Sequence, residues 1–98
     1  MANKSEYIDN LQAVIGKMHG CQSTHVESVP VHEVFRGQTV WQGVIEVFDL
    51  IGHPKAKRGY AWAFQDGAVT RYIAVLEIPP VDSPVTALRA AIASKAQK

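Results

Sequence analysis

The chain has 98 residues with a single cysteine; 47% of them are hydrophobic and 19% are charged, and the formal net charge is +1. This apolar fraction can offset the entropy of ordering the chain, which excludes intrinsic disorder and predicts one globular domain over residues 1–98. A lone cysteine excludes an internal disulfide, and neither a signal-peptide core nor an apolar run of roughly 18–20 residues occurs, so we expect a cytoplasmic protein without membrane contact.

Residues 3–18 are predicted to form an amphipathic helix, because apolar side chains recur there at steps of three and four. Asn3 is the predicted N-cap and has Glu6 at capping-box spacing, while Gly20 suits a left-handed C-terminal cap. The apolar positions are Tyr7, Ile8, Leu11, Val14, Ile15 and Met18.

Two segments rich in β-branched residues follow, at residues 25–35 and 40–51, and the polar interruption between them predicts a β-hairpin. Pro30 removes a backbone donor from the first strand. We therefore expect that strand to lie at a sheet edge or to contain a bulge.

The position of the turn decides which residues of this hairpin face each other. A two-residue turn at residues 37–38 would place Val29 opposite Glu46. A turn at residues 36–37 would place Glu27 opposite Glu46, and such a like-charge pair is destabilising. We prefer the first of these two registers, while a three-residue turn remains open.

The strongest hairpin signal is Asp66-Gly67, a dipeptide suited to a type I′ turn. It joins predicted strands at residues 58–65 and 69–78, and this register places Arg71 opposite Trp62. The dipeptide Pro79-Pro80 ends the second strand.

A last helix is predicted to start at Pro84, with Ser83 as its N-cap, and to run to about Ala96. The predicted order is helix, four strands, helix, and strands joined by tight turns are antiparallel. The sequence therefore predicts an α+β, two-layer domain: a four-stranded antiparallel meander with N- and C-terminal helices.

One face of the second hairpin is bulky and aromatic, because Tyr60, Trp62 and Phe64 share it with Ile73. Two interpretations remain open. These four side chains form the core beneath the helices, or they belong to a face that both helices leave open for a protein partner. In the second case they are the partner-binding residues.

A basic loop precedes this aromatic strand. Residues 1–50 carry three basic and six acidic side chains, whereas residues 51–98 carry seven basic and three acidic ones. Cations beside exposed rings are typical of surfaces that bind single-stranded nucleic acid. The candidate anion-binding residues are Lys55, Lys57, Arg58 and Arg71.

Four side chains near the first hairpin belong to residue types that bind zinc: His19, Cys21, His25 and His32. Their spacing matches no structural zinc motif, and an uninterrupted strand would place His25 and His32 on opposite faces. Cys21 follows a helix C-terminus, where the helix dipole disfavours a thiolate, which argues against catalysis. We therefore predict no metal and keep this segment as the weakest candidate for a metal or small-ligand site.

The sequence contains no phosphate-binding loop, paired-carboxylate motif or nucleophile elbow. This predicts no cofactor and favours a non-enzymatic interaction module. We expect a homo-oligomer or a protein partner, bound through the apolar sheet face or an edge strand. The alternative is nucleic-acid or other anion binding through the basic loop and the neighbouring aromatic strand.

Overall fold

The computed structural model describes residues 4–96. In chain order, these form helix α1 (Lys4–His19), strands β1 (Gln22–Phe35), β2 (Gln38–Ile51), β3 (Arg58–Asp66) and β4 (Val69–Leu76), and helix α2 (Pro84–Ala96). Each element lies within about three residues of its predicted bounds, because turn residues and apolar periodicity mark most of the boundaries.

Helix α1 ends just before a left-handed glycine, as predicted. Gly20 has a φ of 68°, and its N–H donates to the carbonyl of Gly16 at 2.9 Å. Leu11 and Ile15 are buried on the apolar face of the helix. The predicted N-cap, Asn3, lies outside the described residues.

The first hairpin turns at residues 36–37, so the preferred turn at residues 37–38 is wrong. Phe35 pairs with Gln38, and the two turn residues have φ values of 54° and 76°. A type I′ turn requires positive φ at both central positions, and its twist matches that of the flanking strands.

Two β-bulges explain how this turn avoids the opposed glutamates. Val40 is an extra residue in β2, and it shifts the register so that Ser28, rather than Glu27, faces Glu46. Val26 is a second extra residue, in β1. The like-charge conflict is therefore relieved within the strands and not at the turn.

The second hairpin turns one residue later than predicted. Residues 67–68 form the turn in place of residues 66–67, and the glycine at its first position has a φ of 65°. Pairing consequently moves by two residues, and Arg71 faces Phe64 rather than Trp62. Because a shift of two residues keeps every side chain on its face, Tyr60, Trp62, Phe64 and Ile73 share one face as predicted.

The four strands form one antiparallel sheet in the order β1-β2-β3-β4. The α+β class, the four-stranded meander and the element order are confirmed. Pro30 lies in the edge strand β1, as expected from its missing backbone donor.

The two helices pack on opposite faces of the sheet, so the layers run helix, sheet, helix. The expected two-layer arrangement is therefore wrong, because each face of the sheet presents apolar side chains that a helix covers. On one face, Leu11 and Ile15 of α1 pack with Phe48 and Ala61. On the other face, Leu88 of α2 belongs to a larger buried cluster. Its other members are Val31, Ile45, Val47, Tyr60, Trp62, Val81 and Ala87.

Helix α2 begins with a reciprocal cap, which confirms Ser83 as the N-cap. The backbone N–H of Thr86 donates to Ser83 Oγ at 3.2 Å, and the N–H of Ser83 donates to Thr86 Oγ1 at 2.9 Å. Over residues 4–96, neither this helix nor any other combines the length and apolar character needed to cross a membrane.

Candidate functional site

The two hairpins are joined at one end of the sheet. Residues 46–49 of β2 pair with residues 58–61 of β3. Toward the turns, within the described part of the chain, residues 38–45 pair with β1 alone and residues 62–66 pair with β4 alone. The sheet is therefore split between its hairpins, and both sides of the split present backbone groups without a partner strand.

An apolar cavity of about 370 Å³, here called the cleft, opens at this split beneath α2. Trp41 of β2 and Trp62 of β3 meet in it edge to face, with ring centroids 6.1 Å apart. All of its lining side chains are apolar: Val40, Trp41, Trp62, Phe64, Ile73, Leu88, Ala91 and Ile92.

Gly43 makes room for one of the two indoles. A Cβ atom at this position would lie 2.9 Å from Cη2 of Trp41, and Cβ atoms in proteins almost never come this close to another heavy atom. The indole of Trp41 can therefore lie against the strand only because residue 43 has no side chain. This close approach positions Trp41 for its contact with Trp62.

The predicted partner-binding residues divide into two pairs. Tyr60 and Trp62 are only 2% and 1% exposed, because α2 covers their face of the sheet. Phe64 and Ile73 are half-buried and line the cleft. The structure thus brings all four onto one face, where the first two belong to the core.

Tyr60 donates a hydrogen bond to the carboxyl group of Glu77. Burial is the main cause that raises the pKa of Tyr60 above its usual value of 10, and the hydrogen bond to Glu77 adds to it. Both effects favour the neutral phenol.

We expect the free energy of unfolding to fall as the pH rises above 10. The pKa of Tyr60 is higher in the folded state than its unfolded value of 10.0, so the unfolded chain loses the phenol proton first. The stability linked to this proton is fully present below about pH 10 and is lost as the pH rises through the folded-state pKa. Tyr60→Phe should make this decline shallower in urea unfolding at a series of alkaline pH values. Part of the decline should remain in this variant, because burial also raises the pKa of Tyr7. Equal declines in the two proteins would contradict the expectation.

The outer edge of β4 lies in an open groove of about 670 Å³ between the helices, here called the β4 groove. Met18 at the end of α1 and Tyr72 of β4 line it and are 56% and 37% exposed. Ala90 and Ser94 of α2 line the opposite wall. Their small side chains leave the edge strand accessible from the α2 side.

The four predicted anion-binding residues do not lie together. Lys55 and Lys57 are exposed in the loop before β3, and Arg58 begins that strand. Arg71 lies near the turn at the other end, roughly 20 Å from Arg58 at about 3.3 Å per residue. Each arginine already contacts an aspartate, at 3.3 Å for Arg58 and 2.9 Å for Arg71. Anion binding by this set stays a prediction.

The candidate metal ligands are dispersed as well. Across residues 4–96, no group of three His, Cys, Asp or Glu side chains is arranged to hold a metal ion. His19 Nε2 lies 3.2 Å from the Ala74 carbonyl oxygen, and His32 Nε2 lies 2.7 Å from Thr39 Oγ1. Cys21 is buried in the core beneath α1. The fold therefore accounts for the position of each of these three side chains.

A buried carboxyl group on the α1 face was not among the candidate residues. Glu46 is 3% exposed, and its Oε1 accepts hydrogen bonds from His25 Nε2 at 2.8 Å and from Ser28 Oγ at 2.5 Å. The bulge at Val26 places His25 on this face. The expectation that His25 and His32 lie on opposite faces is therefore wrong. We call Glu46, His25 and Ser28 the Glu46 cluster.

The Glu46 cluster ties the edge strand β1 to β2. It lacks the order of a nucleophilic triad, because Ser28 donates to the carboxyl group and not to a histidine nitrogen. One sequence signal could have found it: Glu46 interrupts an apolar run at residues 44–48. A charged residue inside such a run needs partners, which here come from β1.

Comparison of the chain with protein-family models, with curated proteins and with solved structures found no match in any of the three sets. The split sheet, its two edges and the cleft are therefore the features of the chain that can indicate a function.

Proposed function

We propose that this chain is a non-enzymatic interaction module that forms a homodimer, with β4 of one copy pairing antiparallel to β4 of a second copy across a two-fold axis. The observation that carries the proposal is the open edge of β4 in the β4 groove. An exposed strand edge is a template for pairing with another chain.

Alternate residues of β4 direct their backbone groups away from the sheet. The N–H of Glu77 donates to the carbonyl of Arg58, which identifies this as a hydrogen-bonded pair. Antiparallel pairs alternate in type, so the intervening positions Tyr72 and Ala74 direct their N–H and C=O groups outward. The contact between His19 and the Ala74 carbonyl agrees with this direction. A carbonyl oxygen has two lone pairs, so that contact leaves one acceptor site.

The opposite edge of the sheet is better protected against pairing. Strand β1 contains Pro30 and the bulge at Val26, and the side chain of Gln12 donates to the carbonyl of Ser23 in that strand. Proline and bulges are among the devices by which proteins prevent edge pairing. The eight residues of β4 contain no proline. This difference favours β4 as the interface strand.

Charge favours a second copy of the chain as the partner of this strand. In one two-fold register of a β4 pair, Arg71 faces Glu77 of the partner subunit, the residue after β4, and the symmetry repeats this contact. Within the chain, Arg71 contacts the exposed Asp66 and Glu77 accepts a hydrogen bond from Tyr60, so the contact across the pair would be shared with these partners. Opposite charges across paired strands contribute roughly 0.2–1 kcal/mol each. Registers that oppose Arg71 to its own symmetry copy place like charges together. The strand is therefore electrostatically self-complementary.

The proposal places the homodimer in the cytoplasm. The only cysteine of the chain, Cys21, is buried and makes no disulfide, and this is consistent with a reducing compartment.

Tyr72→Pro should convert the dimer to a monomer without unfolding the chain. Proline removes an N–H group that points away from β3, so the hydrogen bonds between β3 and β4 are kept. The paired β4 strands of the dimer lose two hydrogen bonds, one from each copy. We expect the dissociation constant to rise about tenfold or more. Sedimentation equilibrium over a range of protein concentrations measures it, with circular dichroism as the check on folding.

Tyr72→Thr is the matched control, because it removes the same ring and keeps the backbone donor. It should remain a dimer. A monomeric wild-type chain would overturn the proposal, and so would a folded Tyr72→Pro variant that remains a dimer. Dissociation of both variants would replace strand pairing with a contact of the Tyr72 ring.

A further inference from the structure

The cleft has the size of a small-molecule site. Its volume of about 370 Å³ falls in the range of roughly 300–1,000 Å³ that is usual for ligand pockets. Its lining side chains are apolar, so a charged ligand would lose its hydration without gaining a counter-charge. The lining therefore selects for an uncharged molecule.

The rings of the cleft favour an aromatic occupant. Trp41, Trp62 and Phe64 all line it. Aromatic rings gain attraction beyond area burial when their centroids lie about 4.5–7 Å apart, edge to face or offset. The contact with Gly43 fixes Trp41, so one wall of the cleft is organised before a ligand enters.

The split in the sheet supplies hydrogen-bonding groups beside these rings. Residues 38–45 and 62–66 each pair on one side only, which leaves backbone groups facing the gap between the hairpins. One of them, the N–H of Ala63, already donates to the Tyr7 hydroxyl at 3.0 Å, so the remaining groups are the ones open to a ligand. Such groups can bond one hydroxyl or amide of a ligand whose ring lies against the indoles. An apolar lining with a few polar groups is the usual composition of a small-molecule site.

We propose that the cleft binds an uncharged, planar aromatic molecule of about two fused rings that carries one hydrogen-bonding group. The site lies beneath α2 and shares Phe64, Ile73 and Ala91 with the lining of the β4 groove. Tyr72 and Ala74, whose backbone groups would pair in the dimer, line the groove alone. Ligand binding and dimerisation thus depend on different groups, and the Tyr72→Pro variant tests them separately.

The two tryptophans of the chain both line the cleft, so intrinsic fluorescence reports its occupancy. Titration with 2-naphthol should quench tryptophan emission and show saturation, with energy transfer to the probe. The 2-naphthoate anion has the same rings and a charge, and it should bind at least tenfold more weakly. Absence of saturable 2-naphthol binding would overturn the proposal, as would equal affinity for the two probes.

Ala91→Phe should weaken 2-naphthol binding at least tenfold, because the added ring fills the cleft from the α2 side. Ala13→Phe, at an exposed position of α1, adds the same ring outside the cleft and should bind like the wild type. Unchanged affinity in a folded Ala91→Phe variant would place the probe elsewhere and overturn the proposal.

Gly43→Ala provides a second route if Ala91→Phe fails to fold. Its methyl group displaces the indole of Trp41 and should lower the affinity for 2-naphthol. Wild-type affinity in this variant would contradict the role of Trp41. The Tyr72→Pro variant should bind 2-naphthol like the wild type, which separates this test from that of the dimer.

Discussion

Trp62→Ala should lower the free energy of unfolding by about 3–5 kcal/mol, the usual cost of truncating a fully buried aromatic side chain. Trp62 is 1% exposed and belongs to the cluster that joins β1, β2, β3 and α2. Its removal deletes apolar contacts in all of these elements and leaves a void next to the cleft. Urea unfolding followed by circular dichroism at one fixed protein concentration measures the effect, because the stability of a dimer depends on concentration.

Trp41→Ala is the matched control for this substitution. Trp41 meets Trp62 in the cleft but is only half-buried, so its truncation removes less surface from the folded core. We expect a loss of about 1–2 kcal/mol, in proportion to the buried area. If Trp41→Ala costs as much as Trp62→Ala, the two hairpins depend equally on both indoles, and the assignment of Trp62 as the central core residue is wrong.

His25→Leu should lower the free energy of unfolding by about 2–3 kcal/mol, because it removes a donor from a buried carboxyl group. Glu46 is 3% exposed and receives hydrogen bonds from His25 and Ser28. In the His25→Leu variant, Oε1 of Glu46 keeps the hydrogen bond from Ser28 and loses the one from His25. Urea unfolding at neutral pH measures the loss.

Glu46→Leu should cost less, about 1 kcal/mol or below, since the group that it leaves without a partner is a partly exposed histidine and not a buried carboxyl group. His25 remains 26% exposed and can bond to water instead. The double variant should therefore be more stable than His25→Leu alone. His32→Leu, at an exposed histidine of the same strand, should change stability by no more than about 0.5 kcal/mol. A larger loss from Glu46→Leu than from His25→Leu would contradict this account.

Local sequence signals were sufficient to predict the helices and strands and their order. Gly20 predicts the end of α1, and Ser83 with Pro84 predicts the start of α2, because caps depend on a few neighbouring residues. Local signals were not sufficient to predict the register of the first hairpin. The residue that relieves the conflict between Glu27 and Glu46 is Val40, a bulge that nothing in its local sequence marks.

The candidate site depended on contacts that are distant in sequence. The pattern identified the aromatic face of Trp62, but the choice between core and open surface depended on where α2 packs. The cleft was not predicted, because it arises where β2 and β3 stop pairing. The Glu46 cluster was missed because the bulge at Val26 reverses the face of His25.

The short ladder between residues 46–49 and 58–61 also divides the domain mechanically. A sheet joined at one end is stiff there and compliant at the other, so the hairpin turns can separate or approach while the ladder stays intact. Trp41 moves with the first hairpin and Trp62 with the second. Any change in the distance between the two hairpin turns would therefore change the volume of the cleft.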